Sequence, residues 1–146
     1  MKNSKNSNVF ELIRTVEQFS NEMIIRWTKS FPQNLGISPI LVMHQLDLKG
    51  AQKQTELAFE LGYTPGNMTN IANRLIREGF AERLKDEHDR RIVRLALTDA
   101  GKVFLSQAHQ KGAELRKEVF EKLEKEELEQ YLAIQQKMLG YLNETK

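Results

Sequence analysis

The sequence predicts a mainly α-helical chain carrying one small β-hairpin, and three observations support that expectation. Among 146 residues there are only 3 Pro and 8 Gly, which favours long uninterrupted elements. Apolar residues recur at helical spacing over most of the chain. In one stretch, Phe80 to Leu97, the period shifts from 3.6 to 2 on either side of a charged segment.

From Val9 to Phe31 the apolar positions Val9, Ile13, Val16, Phe19, Met23 and Trp27 define a long amphipathic helix. Phe10, Leu12, Ile24 and Ile25 widen its apolar face, so cover is expected on more than one side, the second from a partner chain. The run from Phe31 to Gly36, with Pro32 and Asn34, breaks the pattern. Ser38 then reads as an N-cap with Pro39 at the first helical position, opening a helix that runs to about Leu48 and ends at Lys49-Gly50. A short helix from Gln54 to Leu61 follows, with Leu57, Ala58 and Leu61 on one face and Gly62 at its C-terminal end.

Thr64 and Pro65 supply the next cap and first turn, and Met68, Ile71, Ala72, Leu75 and Ile76 form a buried stripe up to Gly79. Two helices joined by so short a turn make a helix-turn-helix. Strands are expected over Phe80–Leu84 and Val93–Leu97, with Lys85 to Arg91 as a charged hairpin tip, or wing. Thr98-Asp99 caps a helix carrying Val103, Phe104, Ala108, Leu115 and Val119. A last helix carries Leu128, Leu132, Met138, Leu139 and Leu142, and the junction near Glu124 has neither Gly nor Pro to mark it. The order of elements is that of a winged helix-turn-helix over residues 36–101, flanked by helical segments at 1–35 and 102–146.

At 17.0 kDa, a compact monomer would expose about 7,700 Å² against about 25,000 Å² unfolded, burying roughly 69% and making one core without staples. With 0 Cys the chain has no disulfide framework, cysteine-ligated metal site, cysteine nucleophile or thiol redox sensor. No G-x-S-x-G elbow, H-E-x-x-H helix, phosphate-binding loop or dinucleotide fingerprint occurs, so an enzyme is not expected, and no cofactor is implied. His88, between Glu87 and Asp89, reads as solvated rather than metal-bound, because three adjacent side chains on a tip rarely close a tetrahedral site; no metal is expected. His44 and His109 read as packing histidines. The polar start, Met1 to Asn8, has no apolar segment behind it and no run approaches a membrane span, so the expectation is a cytoplasmic protein with no membrane partner.

The net charge of +2 does not announce a nucleic-acid partner, but its distribution is informative. Arg74 to Arg94 holds seven basic against five acidic residues, whereas Glu114 to Glu129 holds four against seven. DNA would be drawn to the middle of the chain and repelled by the C-terminal helices. The polar face of the Pro65–Arg77 helix carries Gly66, Asn67, Thr69, Asn70, Asn73, Arg74 and Arg77. In a helix-turn-helix the first turns of the second helix enter the major groove, where Asn can pair with adenine and Arg with guanine or phosphate. Taken singly, such residues are often just solvated, and Arg74 and Arg77 could pair with Glu78 or Glu82.

At these residues the chain resembles the MarR family of bacterial winged-helix regulators, over nearly its whole length. Asp86-Glu87-His88-Asp89-Arg90-Arg91, followed by Leu95-Ala96-Leu97-Thr98-Asp99-Ala100-Gly101, fits the family's D-x-x-D-R-R and L-x-L-T-x-x-G wing signature. Thr64-Pro65-Gly66-Asn67-Met68-Thr69 with Arg74-Leu75 and Gly79-Phe80, and Gln54-Thr55-Glu56-Leu57-Ala58 before them, are similar to its helix-turn-helix.

The resemblance implies a homodimer built from the first helix and the last two, with one winged helix per subunit on successive major grooves of a pseudo-palindromic double-stranded operator. It implies that Arg91 enters the minor groove, Asp89 holds the tip in shape and Arg90 meets phosphate. Asn73 stands where some members carry an acid that engages the wing arginine. A small-molecule effector pocket near Phe19, Met23, Trp27 and His44, and release of a repressor from its operator, are likewise implied, although an aromatic stripe of this spacing also reads as plain core. A different reading of the same elements is a helical dimerisation or adaptor protein that docks other proteins through its winged helix.

Overall fold

The computed structural model describes residues 2–33 and 35–145, with side chains from residue 6 onward; Met1 and the Asn34 of the expected break lie outside the described residues. The element order is α1 (Lys2–Lys29), α2 (Ile37–Lys49), α3 (Gln54–Leu61), α4 (Pro65–Arg77), β1 (Ala81–Lys85), β2 (Val93–Leu97), α5 (Asp99–Phe120) and α6 (Lys125–Glu144). The chain separates into two units, residues 1–111 and 112–146.

In the first unit the core forms where α2, α3, α4 and α5 face one another. Val42, Met43, Leu46, Leu57, Met68, Ala72 and Leu75 are all at most 2% exposed, joined by Leu95, Leu105 and Ala108. Each Leu or Met removed from water so completely stabilises the fold by about 1.5–3 kcal/mol. Trp27, Phe31, Phe104 and Phe80 make a continuous aromatic run, and the Trp27 Nε1–H donates to the Ala108 carbonyl at 2.9 Å. That contact ties the end of α1 to α5. Gly62 closes α3 in the left-handed region (φ 72), which a side chain would resist, and Tyr63 N donates back to Ala58 O at 2.8 Å. The turn into α4 is therefore tight.

β1 and β2 pair antiparallel with Arg83 opposite Leu95 and Leu84 opposite Arg94. Gln52 adds one bridge to the free side of β2, exchanging two backbone bonds with Leu95. In the second unit, the end of α5 and α6 share a tilted Phe120–Tyr131 contact at 5.8 Å. The junction is a capping box: Glu127 accepts from Glu124 N at 2.9 Å, and the Glu124 carboxylate caps the backbone of Glu127 in return.

Several expectations require correction. α1 ends at Lys29, since Pro32 pushes the preceding Phe31 out of the helical region. α2 begins at Ile37 after Gly36, so Ser38 is not its cap; Pro39 still falls in the first turn, where a missing N–H loses no helical bond. β1 starts at Ala81 because Phe80 turns into the core and stacks on Phe104 at 4.4 Å. α6 contains no buried residue. No helix among the described residues is long and apolar enough to cross a membrane.

Candidate nucleic-acid interface

The first turns of α4 form an exposed polar surface because the buried stripe takes only Met68, Ile71, Ala72 and Leu75. Thr64 caps the helix, its hydroxyl accepting from Asn67 N at 3.1 Å, and Pro65 follows at the first helical position. Thr69 donates to Pro65 O at 2.9 Å. Thr64, Pro65, Gly66, Asn67, Thr69 and Asn70 are all exposed, so this face keeps its amides and hydroxyls available to a ligand. Arg77 is exposed and makes no ion pair with Glu78 or Glu82 among the described residues. Arg74 is half-buried and reaches the Gln33 carbonyl at 3.5 Å, at the long limit of a hydrogen bond.

The wing tip is organised by two carboxylates. Asp86 Oδ2 accepts from Asp89 N at 3.0 Å and His88 N at 3.1 Å, while Oδ1 lies 3.8 Å from Arg94 Nε. Backbone bonds Asp86 N to Ile92 O and Ile92 N to Asp89 O close the loop. Asp89 accepts from the backbone N, the Nε and the Nη2 of Arg91 at 3.1, 3.1 and 3.2 Å. The Arg91 side chain nonetheless remains 91% exposed. Arg90 is exposed with no ion pair among the described residues.

The amide bonds from Asp89 and His88 hold the Asp86 carboxyl below its ordinary value, and the Arg91 side chain followed by its backbone N does the same for Asp89. A depressed folded-state pKa means that this contribution is fully present above the unfolded value of 3.8 and is lost as pH falls through the lowered values. The His88 and Asp89 amides are therefore expected to keep constant NMR shifts and exchange protection from neutral pH down to the ordinary carboxylate range, losing them only below it. Loss of protection while the pH is still above that range would assign the ordering to a group other than these two carboxylates.

Between the wing and the start of α3 runs an open groove of about 540 Å³, lined by Lys53, Gln54, Thr55, Arg83, Arg91 and Arg94 together with Ile92, Val93 and Leu95. Among the described residues no carboxylate lines it. Arg83, Lys53 and Gln54 are not among the site residues the sequence predicts. Their meeting depends on β1 lying across α3 and α4, which no local spacing encodes. Asp86 was visible only as the first letter of the wing signature, although an Asp two and three residues before backbone donors is the ordinary signal of an Asx-type turn.

The remaining candidates are dispersed. Phe19 is 38% exposed, Met23 is buried, and Trp27 is committed to Phe31 and Ala108. His44 and His109 are not buried packing residues: both are exposed, with rings 5.4 Å apart in an edge-on contact. Among the described residues no three metal-ligating side chains come together.

A three-helix core, a capped second helix and a basic hairpin define a winged helix-turn-helix protein. The family model described as MarR family matches residues 37–93. The transcriptional repressor MprA of Escherichia coli is 29% identical over 113 residues, covering 75% of this chain and 64% of that protein, so the chain spans just under two thirds of it. A MarR family protein from Bacillus stearothermophilus superposes with TM-score 0.80 at 19% identity, covering 98% of this chain and 99% of the other. A mutant MarR from Escherichia coli complexed with operator DNA gives TM-score 0.65 at 25% identity, covering 90% and 94%. Residues 37–93 thus match a MarR family domain, and the curated relatives the chain resembles are transcriptional regulators.

Proposed function

We propose that the protein is a homodimeric, sequence-specific DNA-binding repressor, released from a pseudo-palindromic operator by a small-molecule effector and working in the cytoplasm. The observation that carries the DNA reading is the exposed amide and hydroxyl face of α4 set beside an ordered wing tip with Arg91 projecting from it. Asn67, Thr69 and Asn70 are the base readers; Thr64, Pro65 and Gly66 bring the helix start close to the groove; Arg74, Arg77 and Arg90 serve phosphates. Asp89 holds Arg91 ready, and a solvent-screened pair of this kind is weak, so Arg91 exchanges Asp89 for DNA at little cost.

Residues 36–101 form the DNA-binding region, with 1–35 and 102–146 as dimerisation segments. The dimer is supported by the apolar residues left open on α1 (Phe10, Leu12, Val16) and α6 (Leu132, Met138, Leu139, Leu142), each at least 49% exposed. The effector reading rests on family resemblance, with Phe19, Met23, Trp27 and His44 as its candidate lining. A ligand favouring a dimer whose recognition helices are wrongly spaced weakens DNA binding by that energy difference.

Fluorescence anisotropy on a labelled duplex from the region upstream of its own coding sequence, against a scrambled duplex, tests the DNA reading. Asn67→Ala or Asn70→Ala is expected to cost about 1–3 kcal/mol on the specific duplex and little on the scramble. Arg91→Ala is expected to weaken both with a shallower salt dependence. Equal loss on both duplexes removes the asparagines as readers; partner-protein binding that survives Arg91→Ala in a protein that ignores DNA supports the adaptor reading instead.

A further inference from the structure

Arg83 is held by two neutral acceptors. Its Nη2 donates to Asn73 Oδ1 at 2.9 Å and its Nε to Gln54 Oε1 at 3.2 Å, so α3, α4 and β1 all fix one guanidinium. The other two arginines of the groove differ: Arg91 faces Asp89 at 3.1 Å and Arg94 faces Asp86 at 3.8 Å. Amide oxygens orient a guanidinium through hydrogen bonds without cancelling its charge, whereas carboxylates do both. Arg83 is exposed and lines the open groove, and a guanidinium carries five N–H donors, more than its two amide acceptors occupy. Asn73 follows Asn70 and Thr69 by three and four residues, on the same face of α4.

We propose that Arg83 is a pre-oriented anchor for a DNA backbone phosphate, and that the neutral side chain at Asn73 sets the strength of that anchor by leaving its charge intact. This rests on the DNA-binding reading above. A carboxylate at position 73 would pair with Arg83 and compete with phosphate for it. The amide holds the same geometry and leaves the charge to DNA. The proposed anchor reads no sequence, so it acts equally on operator and random duplex.

The experiment is a salt series of anisotropy titrations on the upstream duplex and its scramble, with thermal melts of each variant. Asn73→Asp is expected to lower affinity for both duplexes about tenfold at low salt and to reduce the salt slope by about one, with an undiminished melting temperature. Arg83→Gln is expected to show the same loss. The double variant is expected to bind no more weakly than Arg83→Gln alone. A wild-type slope in Asn73→Asp overturns the proposal, whatever its melting temperature. So does a full further loss in the double variant, which would be simple repulsion between the new carboxylate and DNA. Wild-type protein that binds neither duplex refutes the DNA reading itself, and with it the anchor, before any variant is compared.

Discussion

Gly101→Ala is expected to destabilise the fold by about 3 kcal/mol or more, because the added methyl enters occupied backbone space. It would run into the Phe80 carbonyl oxygen and lie 2.9 Å from its carbon and 3.2 Å from Leu97 Cδ2. The carbonyl cannot easily retreat. It accepts from Thr98 N at 3.1 Å, and the Phe80 ring, 8% exposed, is stacked on Phe104. Nor can the first turn of α5 swing away cheaply: Thr98 donates to Gly79 O at 2.6 Å and accepts from Gly101 N at 3.0 Å, so helix start and hairpin entry share one network. Gly66→Ala is the control, since a methyl there meets nothing within 4 Å, and it is expected to be neutral or stabilising by up to about 1 kcal/mol. Denaturant midpoints at fixed protein concentration compare the two. Equal midpoints would mean that the contact between α5 and the hairpin yields without cost.

The same glycine shows what the sequence could convey. Thr64-Pro65, Gly62 and Thr98 act through atoms two to five residues away, so the helix-turn-helix and the start of α5 were legible from spacing alone. The wing was legible because period-2 residues flank a charged run. Gly101 was visible as the end of L-x-L-T-x-x-G, but its reason, the approach of Phe80 across the hairpin, is a tertiary fact. The start of β1 was illegible because a neighbour decides the outcome, since Phe80 leaves the strand for a ring partner in α5; the junction expected near Glu124 is where α6 is capped, through a box that needs no Gly or Pro. Arg83 was illegible as a site residue, since its two acceptors lie 29 and 10 positions away on separate helices. The single core expected without staples is present, but hydrophobic periodicity marks faces that want cover without saying which chain covers them.

That uncovered area carries the second large effect. Leu132→Asp and Leu139→Asp are each expected to convert the proposed dimer to monomers at micromolar concentration and to lower operator affinity by at least about 100-fold. Each leucine is 58% exposed in the protomer, seven residues apart on one face of α6. In an isolated chain the new charge remains solvated, so helix content and the melting of the winged helix should change little. In a two-fold dimer the same charge is buried without a partner, and every substitution is counted twice by symmetry. Large apolar side chains left open on one helix face are the kind of surface that a protein partner covers. Loss of pairing would leave one recognition helix on one half-site, and the second half-site's contribution disappears although no DNA-contacting residue has been touched. Sedimentation velocity gives the assembly state and anisotropy gives the affinity. Variants that sediment as dimers with wild-type operator affinity would exclude this face of α6 from the interface. Monomers that keep full affinity would instead show that the two half-sites are bound independently, and the pseudo-palindromic reading would have to go.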